Sequence, residues 1–93
     1  MNDYSDQIAQ GMKQVSVSVR ARTGGRFWVE SWEEGPAGTL VYRPILTDGK
    51  KKLRGPEFSE ENLADAPATP GLMVKLDEVI AEWSERHRDE LGL

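Results

Sequence analysis

The stretch "VSVSVRARTGGRFWVESW", residues 15–32, carries the clearest pattern in the chain. In residues 15–22 apolar and polar side chains alternate strictly, and this period of two predicts a β-strand with one buried face. Residues 26–32 are rich in aromatic and β-branched side chains, which favours a second strand. The apolar positions of the first predicted strand are Val15, Val17, Val19 and Ala21.

The tripeptide 23–25, "TGG", separates the two predicted strands. A three-residue hairpin loop with Gly25 in the left-handed conformation places Val19 opposite Val29 and keeps one face apolar. A two-residue glycine turn is the alternative, and it mixes apolar and charged side chains on both faces. We therefore predict the three-residue loop.

Two further strands are predicted after the first hairpin. The segment "TLVYRPIL" follows a loop rich in Gly and Pro, in a register that places Val29 opposite Tyr42. The Asp48–Gly49 dipeptide favours a two-residue hairpin turn. We expect this turn to lead into a short fourth strand in which Leu53 lies opposite Pro44.

The last third of the chain has helical spacing. Ser59 is a predicted N-cap of a short helix that Pro67 ends, and Thr69 and Pro70 are the predicted cap and first residue of a longer helix. The apolar stripe of the longer helix is Leu72, Leu76, Val79, Ile80 and Trp83. Four acidic residues lie away from this stripe and form a secondary acidic surface: Asp77, Glu78, Glu82 and Glu85.

These patterns predict an α+β fold. We expect an antiparallel meander sheet of three or four strands with the C-terminal helix packed on one face, in two layers. A chain of 93 residues fits one domain, which we place over residues 1–93. Residues 1–13 predict either a short helix or a frayed arm, because only three apolar residues at spacings of four support a helix there.

The composition narrows the class of protein. The chain has no cysteine, so disulfides and thiolate metal sites are excluded. Its net charge is −4, but residues 1–56 hold nine Lys and Arg against six Asp and Glu, whereas residues 57–93 hold three against ten. No secretory signal or long apolar run is present, so we expect a soluble, cytoplasmic protein with no membrane partner.

No motif for catalysis, metal binding or cofactor binding occurs in the sequence. His87 is the one histidine, and it lacks the paired His, Cys or carboxylate spacing of a zinc site. Ser84 lies three residues before it, yet nothing indicates an oxyanion hole. We therefore expect no enzymatic activity, no cofactor and no metal.

The most informative cluster is the second face of the predicted sheet. There the alternation brings cations beside indole rings, a combination typical of binding hot spots and of single-stranded nucleic-acid sites. The alternative interpretation is a cross-strand Arg/Trp ladder that only stabilises the sheet. This predicted Arg/Trp face consists of Arg20, Arg22, Trp28, Trp32, Arg43, Lys52 and Arg54.

The segments "VSVSVRA", "RFWVESW" and "GKKKLRGPEFSEENL" span roughly residues 15–63. In the order of four strands followed by a helix, the chain resembles the Whirly-type and positive-cofactor-type single-stranded DNA-binding domains. In size and acidic α+β character it is equally similar to small phage-encoded inhibitors of host defence, including anti-CRISPR proteins. The first resemblance implies nucleic-acid binding and the second implies protein binding.

We expect the chain to be a non-enzymatic protein-binding module, a small regulator or inhibitor of another macromolecule of the kind that phages and mobile elements encode. Single-stranded nucleic-acid binding through the predicted Arg/Trp face is the alternative. A third hypothesis is a homo-oligomer in which the basic sheet of one copy meets the acidic helix of another.

Overall fold

The computed structural model describes residues 4–93, and it confirms the α+β class with a four-stranded antiparallel sheet and a C-terminal helix. The first three residues of the predicted N-terminal arm lie outside this range. In chain order the elements are α1 (Tyr4–Arg22), β1 (Trp28–Glu34), β2 (Val41–Thr47), β3 (Lys52–Arg54), β4 (Phe58–Ser59), α2 (Glu60–Asp65), a 3₁₀ turn (Ala66–Ala68), α3 (Pro70–Arg86) and α4 (Arg88–Leu91).

The predicted first strand is wrong, because residues 15–22 form the second half of the 19-residue helix α1. The predicted hairpin with β1, and its pairing of Val19 with Val29, are therefore wrong as well. The helix buries Val15 and Val19 completely and leaves Val17 55% exposed. Full burial of a valine side chain stabilises the fold by about 1.5 kcal/mol or more. This gain is larger than the cost of placing a valine in a helix, which is below about 0.7 kcal/mol relative to alanine.

The predicted "TGG" turn is present, but it ends a helix rather than joining two strands. Gly24 and Gly25 have φ of 61° and 81°, and the Gly25 N–H donates to the Arg20 carbonyl at 2.8 Å, which closes the helix with a left-handed cap. The buried Thr23 hydroxyl donates to the Val19 carbonyl and accepts from the N–H of Phe27. These bonds fix the direction in which the chain enters β1.

The sheet has the order β1-β2-β3, and β4 also pairs with β2. The predicted register between β1 and β2 is wrong: Val29 lies opposite Leu46, and Trp32 lies opposite Pro44. The strand runs on to Glu34, so the hairpin loop falls in residues 35–40. An irregularity of the β-bulge type separates Val29 from Ser31 and reverses the alternation of side chains along β1.

The chain turns at Asp48–Gly49 as predicted, but the predicted two-residue hairpin turn is wrong: Thr47 pairs with Lys52, so residues 48–51 form a four-residue loop. The Asp48 carboxylate accepts from the N–H groups of Lys50 and Lys51, both at 2.9 Å, and Gly49 has a φ of 93°. The N–H of Lys51, followed by that of Lys50, holds the pKa of the Asp48 carboxyl below its usual value. The short strand β3 follows as predicted, but Leu53 lies opposite Leu46 and not opposite Pro44.

The predicted helix starts are confirmed. The Ser59 hydroxyl accepts from the Asn62 N–H at 3.1 Å, and α3 begins at Pro70 after Thr69, whose side chain makes no capping bond. The stripe of α3 faces inward, with Leu72 and Val79 partly buried. The buried core is Val15, Val19, Phe27, Leu46, Phe58, Leu63, Ala66, Leu76, Ile80, Trp83 and Leu91.

Within residues 4–93, no helix combines the length and the hydrophobicity that crossing a membrane requires.

Candidate functional site

The sheet presents one face to α1 and α3 and the other to solvent. Leu46 and Pro44 of β2 are buried on the helix side, together with the partners that the register places opposite them. The alternate residues point away from the helices, because successive side chains on a strand alternate between its faces. We call this solvent side the outer sheet face; it carries Trp28, Glu30, Ser31, Glu33, Arg43, Ile45, Lys52 and Arg54.

Four of the seven residues of the predicted Arg/Trp face lie on the outer sheet face. The register places Trp28 opposite Thr47, which in turn pairs with Lys52. It also places Ile45 between Ser31 of β1 and Arg54 of β3. Trp28, Arg43, Lys52 and Arg54 are thus brought together, although the β1–β2 register used to predict their proximity was wrong.

The other two predicted arginines are not on the sheet. Arg20 and Arg22 lie in the last turn of α1, because the segment that was predicted as a strand is a helix. The guanidinium of Arg22 forms an ion pair with the carboxylate of Asp77 on α3. Arg22 therefore links two helices, and its placement on the predicted Arg/Trp face is corrected.

Trp32 lies on the helix side of the sheet, which corrects its predicted position. It is opposite the buried Pro44 and packs edge-on against Phe58, with ring centroids 6.3 Å apart. The irregularity after Val29 causes this change, since it puts two residues three positions apart on the same face. Nothing in the residue pattern marks the position of that irregularity.

The cations of the outer sheet face are paired with carboxylates. The Lys52 ammonium lies 2.9 Å from Glu30, the Arg43 guanidinium lies 2.7 Å from Glu57, and Arg54 bonds to Glu33. All six side chains are 36% to 64% exposed, so each pair contributes about 1 kcal/mol or less to stability. Their main consequence is that a face predicted to be basic is close to neutral.

The centre of the outer sheet face is apolar. Trp28 and Ile45 are partly buried, and neither packs against the hydrophobic core. The indole of Trp28 reaches the β2–β3 turn, where a Cβ on Gly49 would lie 3.7 Å from its Cη2 atom. Trp28 and Ile45 therefore lie on the solvent side of the sheet together with three ion pairs, and the sequence analysis missed Ile45 because the predicted register was wrong.

The secondary acidic surface is smaller than predicted. Asp77 accepts from the Ser18 hydroxyl at 2.5 Å and from Arg22, and these bonds, that of Arg22 first, hold the pKa of the Asp77 carboxyl below its usual value. Glu85 pairs with Arg88 at 3.2 Å. The remaining two residues, Glu78 and Glu82, are exposed and form no ion pair within the described part of the chain.

The lone histidine belongs to a local cluster at the end of α3. Its ring stacks on Trp83 with centroids 4.5 Å apart, and Nδ1 lies 2.8 Å from the Glu90 carboxylate. The buried Ser84 hydroxyl has no hydrogen-bond partner, so it forms no pair with His87. Among residues 4–93, no three His, Cys, Asp or Glu side chains are grouped so that they could hold a metal ion.

The resemblance to single-stranded DNA-binding domains rests partly on residues 15–21, and these residues are helical. Comparisons with protein-family models, with curated proteins and with solved structures find no match to this chain. The function is therefore argued from the geometry of the outer sheet face and its surroundings.

Proposed function

We propose that the protein is a non-enzymatic protein-binding module, a small regulator or inhibitor of another macromolecule, and that it binds its partner through the outer sheet face. The observation that carries this proposal is the apolar centre formed by Trp28 and Ile45. Neither side chain packs against the core, and both are only partly buried, so a partner that covers them would bury the apolar surface that is still exposed.

The layout of the face matches that of protein interfaces. Such interfaces have an apolar, often aromatic centre and a polar rim that excludes water, and a few central residues supply most of the binding energy. Here Trp28, at the start of β1, supplies the aromatic side chain, and three ion pairs supply the polar surroundings: two of them join β1 to β3, and the third joins Arg43 of β2 to Glu57. Because these pairs present both signs of charge, they favour a partner whose own rim carries mixed charge.

The charge balance favours protein over single-stranded nucleic acid. Binding to phosphates needs unpaired cations along the strand, whereas Arg43, Lys52 and Arg54 each have a carboxylate partner. The two other predicted phosphate contacts, Arg20 and Arg22, lie on α1. The same pairing weakens the homo-oligomer hypothesis, which needs a basic sheet to meet an acidic helix.

We place this module in the cytoplasm. The chain has no cysteine, and a small domain without disulfides is commoner in a reducing compartment than among secreted proteins.

The proposal is tested by capturing partners from a host lysate on the immobilised protein and quantifying them for three forms. Trp28→Ala removes the centre of the outer sheet face, and Glu82→Lys alters the exposed side of α3. We expect a partner that is retained by the wild-type protein and by Glu82→Lys but lost with Trp28→Ala. Circular dichroism of each form controls for folding.

A labelled single-stranded DNA, titrated at low and at physiological salt, tests the alternative. The proposal predicts no saturable binding at physiological salt. Tight binding that weakens steeply with salt and quenches tryptophan emission would instead support the nucleic-acid function. Retention of the same partner by Trp28→Ala and Glu82→Lys alike would rule out both surfaces.

A further inference from the structure

A second concave site lies next to the outer sheet face. It is an open cleft of about 490 Å³ between the β3–β4 connection and the C-terminal end of α3. Three arginines and one histidine line it, contributed by β2, β3 and the C-terminal end of α3, together with one carboxylate and one indole. These residues are Arg43, Arg54, Arg86, His87, Glu57 and Trp83.

We propose that this cleft binds a phosphate monoester dianion. A guanidinium presents its N–H donors in a planar fork that matches phosphate oxygens, and clusters of arginine are a recurring way to recognise phosphoryl groups. Three such forks line one cleft here. The cleft shares Arg43 and Arg54 with the outer sheet face, but it does not include Trp28 or Ile45, and this proposal does not require that face to bind a protein.

The charges around the cleft leave room for an anion. Arg86 forms no ion pair with any residue between positions 4 and 93, so its donors are available. Arg43 is paired with Glu57 inside the cleft, and Arg54 is paired with Glu33, which is not part of the lining. Exposed pairs of this kind contribute little, so an incoming dianion can displace a carboxylate at small cost.

The chemistry of the site favours a phosphate monoester over other anions. A ligand with a single carboxylate would only take the place of Glu57, whose carboxylate already accepts a hydrogen bond from Arg43. A phosphate monoester brings almost two negative charges and three strong acceptor oxygens, so it can engage Arg86 in addition. A phosphodiester has one charge, and the neutral outer sheet face offers no basic track that would hold the rest of a strand.

The experiment is a ¹H–¹⁵N NMR titration of the full chain with inorganic phosphate, phenyl phosphate, and a phosphoserine peptide with its unphosphorylated form. We expect saturable shifts of the amides of residues 54, 55, 57, 86 and 87 with all three phosphate-containing probes, and none with the unphosphorylated peptide. Peptide binding at least about tenfold tighter than phosphate identifies a phosphorylated protein as the source. Equal affinities identify a small phosphate monoester.

Three variants test whether the phosphate probes bind in this cleft. Arg86→Gln should weaken binding about tenfold, because it removes a charge-assisted fork. Glu57→Gln should tighten binding, because it frees Arg43 from its carboxylate partner. Arg88→Gln, the matched control, removes the same charge two residues away and outside the cleft lining, so it should change affinity less than twofold.

The proposal is overturned if no probe gives saturable shifts of the amides of residues 54, 55, 57, 86 and 87. It is also overturned if Arg88→Gln weakens binding as much as Arg86→Gln, since the effect would then be one of net charge. Loss of affinity in Glu57→Gln, or binding of a phosphodiester strand as tightly as phenyl phosphate, would contradict the assignment in the same way.

Discussion

Gly11 shows how closely α1 approaches α2. A Cβ at this position would lie 2.0 Å from the carbonyl oxygen of Leu63 and 2.6 Å from its carbonyl carbon, both of which belong to the backbone. No side chain fits there unless the two helices separate. Because the contact involves backbone atoms, a change of rotamer cannot relieve it.

We predict that Gly11→Ala destabilises the fold. Replacing glycine by alanine inside a helix normally gains about 1 kcal/mol, but the overlap with Leu63 should cost more, for a net loss of about 1–2 kcal/mol. Urea denaturation followed by circular dichroism measures this. The control is Gly71→Ala in α3, where an added Cβ meets nothing within 4 Å and stability should stay the same or rise. A more stable Gly11→Ala would contradict the packing described here.

Leu40 is the one non-glycine residue of the described chain with a positive φ, at 50°. Its carbonyl accepts from the Glu60 N–H at 2.9 Å, which ties the β1–β2 loop to the start of α2. Its side chain is 66% exposed and so recovers little energy by burial. A left-handed conformation costs a side-chain-bearing residue about 1 kcal/mol or more.

We predict that Leu40→Gly stabilises the protein by about 0.5–1 kcal/mol, because glycine adopts this φ without steric cost. Leu40→Ala keeps the Cβ and should change stability by less than about 0.5 kcal/mol. Thermal denaturation of the two variants separates loss of strain from loss of the leucine side chain. If both variants are equally destabilised, the leucine side chain stabilises the loop and the backbone strain is unimportant.

At the scale of elements, α1 shows where the sequence was ambiguous. Val15 and Val19 are four residues apart, a spacing that fits both the alternation of a strand and one turn of a helix. Ile8 and Met12 continue the same stripe and are partly buried, so the helical pattern spans the whole segment. This helical stripe crosses from the predicted arm, residues 1–13, into the predicted strand, residues 15–22.

The other elements were more predictable because their signals are local. The Ser59 cap and the stripe of α3 depend on neighbouring residues, and both are confirmed. The turn at Asp48–Gly49 is in the predicted place, although its loop has four residues and not two. The β1–β2 register depends on a bulge and a hairpin loop whose positions no short motif marks. Trp28 precedes the bulge and Lys52 lies on another strand, so the simple alternation placed both on the correct face. Trp32 follows the bulge, so the alternation placed it on the wrong face.

The contact between α1 and α3 depends on Asp77, which accepts from Ser18 and from Arg22. The pKa of the Asp77 carboxyl is lowered in the folded protein. A group of this kind contributes stability that is present above its unfolded pKa of about 4 and is lost as the pH falls through its lower folded pKa. The contact should therefore weaken in acid.

We predict that Asp77→Asn lowers the free energy of unfolding at pH 7 by about 0.5–1 kcal/mol, a range suited to a pair whose side chains are 42% and 46% exposed. The deficit should shrink as the pH falls below about 4, where the wild-type carboxylate also becomes protonated. Urea denaturation between pH 7 and pH 2 measures it, with the exposed, unpaired Glu78→Gln as control. A deficit independent of pH would show that the ion pair is not its cause.

Across the whole molecule, the fold joins two cations of the basic first part of the sequence to carboxylates of its acidic last part. Arg22 and Arg43 come from the basic first part of the chain and pair with Asp77 and Glu57 of the acidic last part. The Lys51 ammonium bonds to the carbonyl oxygen of Glu90 near the C-terminus. Within residues 4–93, the cations of the outer sheet face are paired with carboxylates, so the continuous basic face that the sequence predicted is absent there.

We propose that Trp28 anchors a protein partner on the outer sheet face. It is tested most directly by the dissociation constant of the captured and purified partner, measured for the wild-type protein, Trp28→Ala and Glu82→Lys. We predict that Trp28→Ala, folded by circular dichroism, binds at least about tenfold more weakly, as expected for a central aromatic residue, and that Glu82→Lys binds within twofold of wild type. Equal affinity of the wild-type protein and Trp28→Ala would contradict the claim.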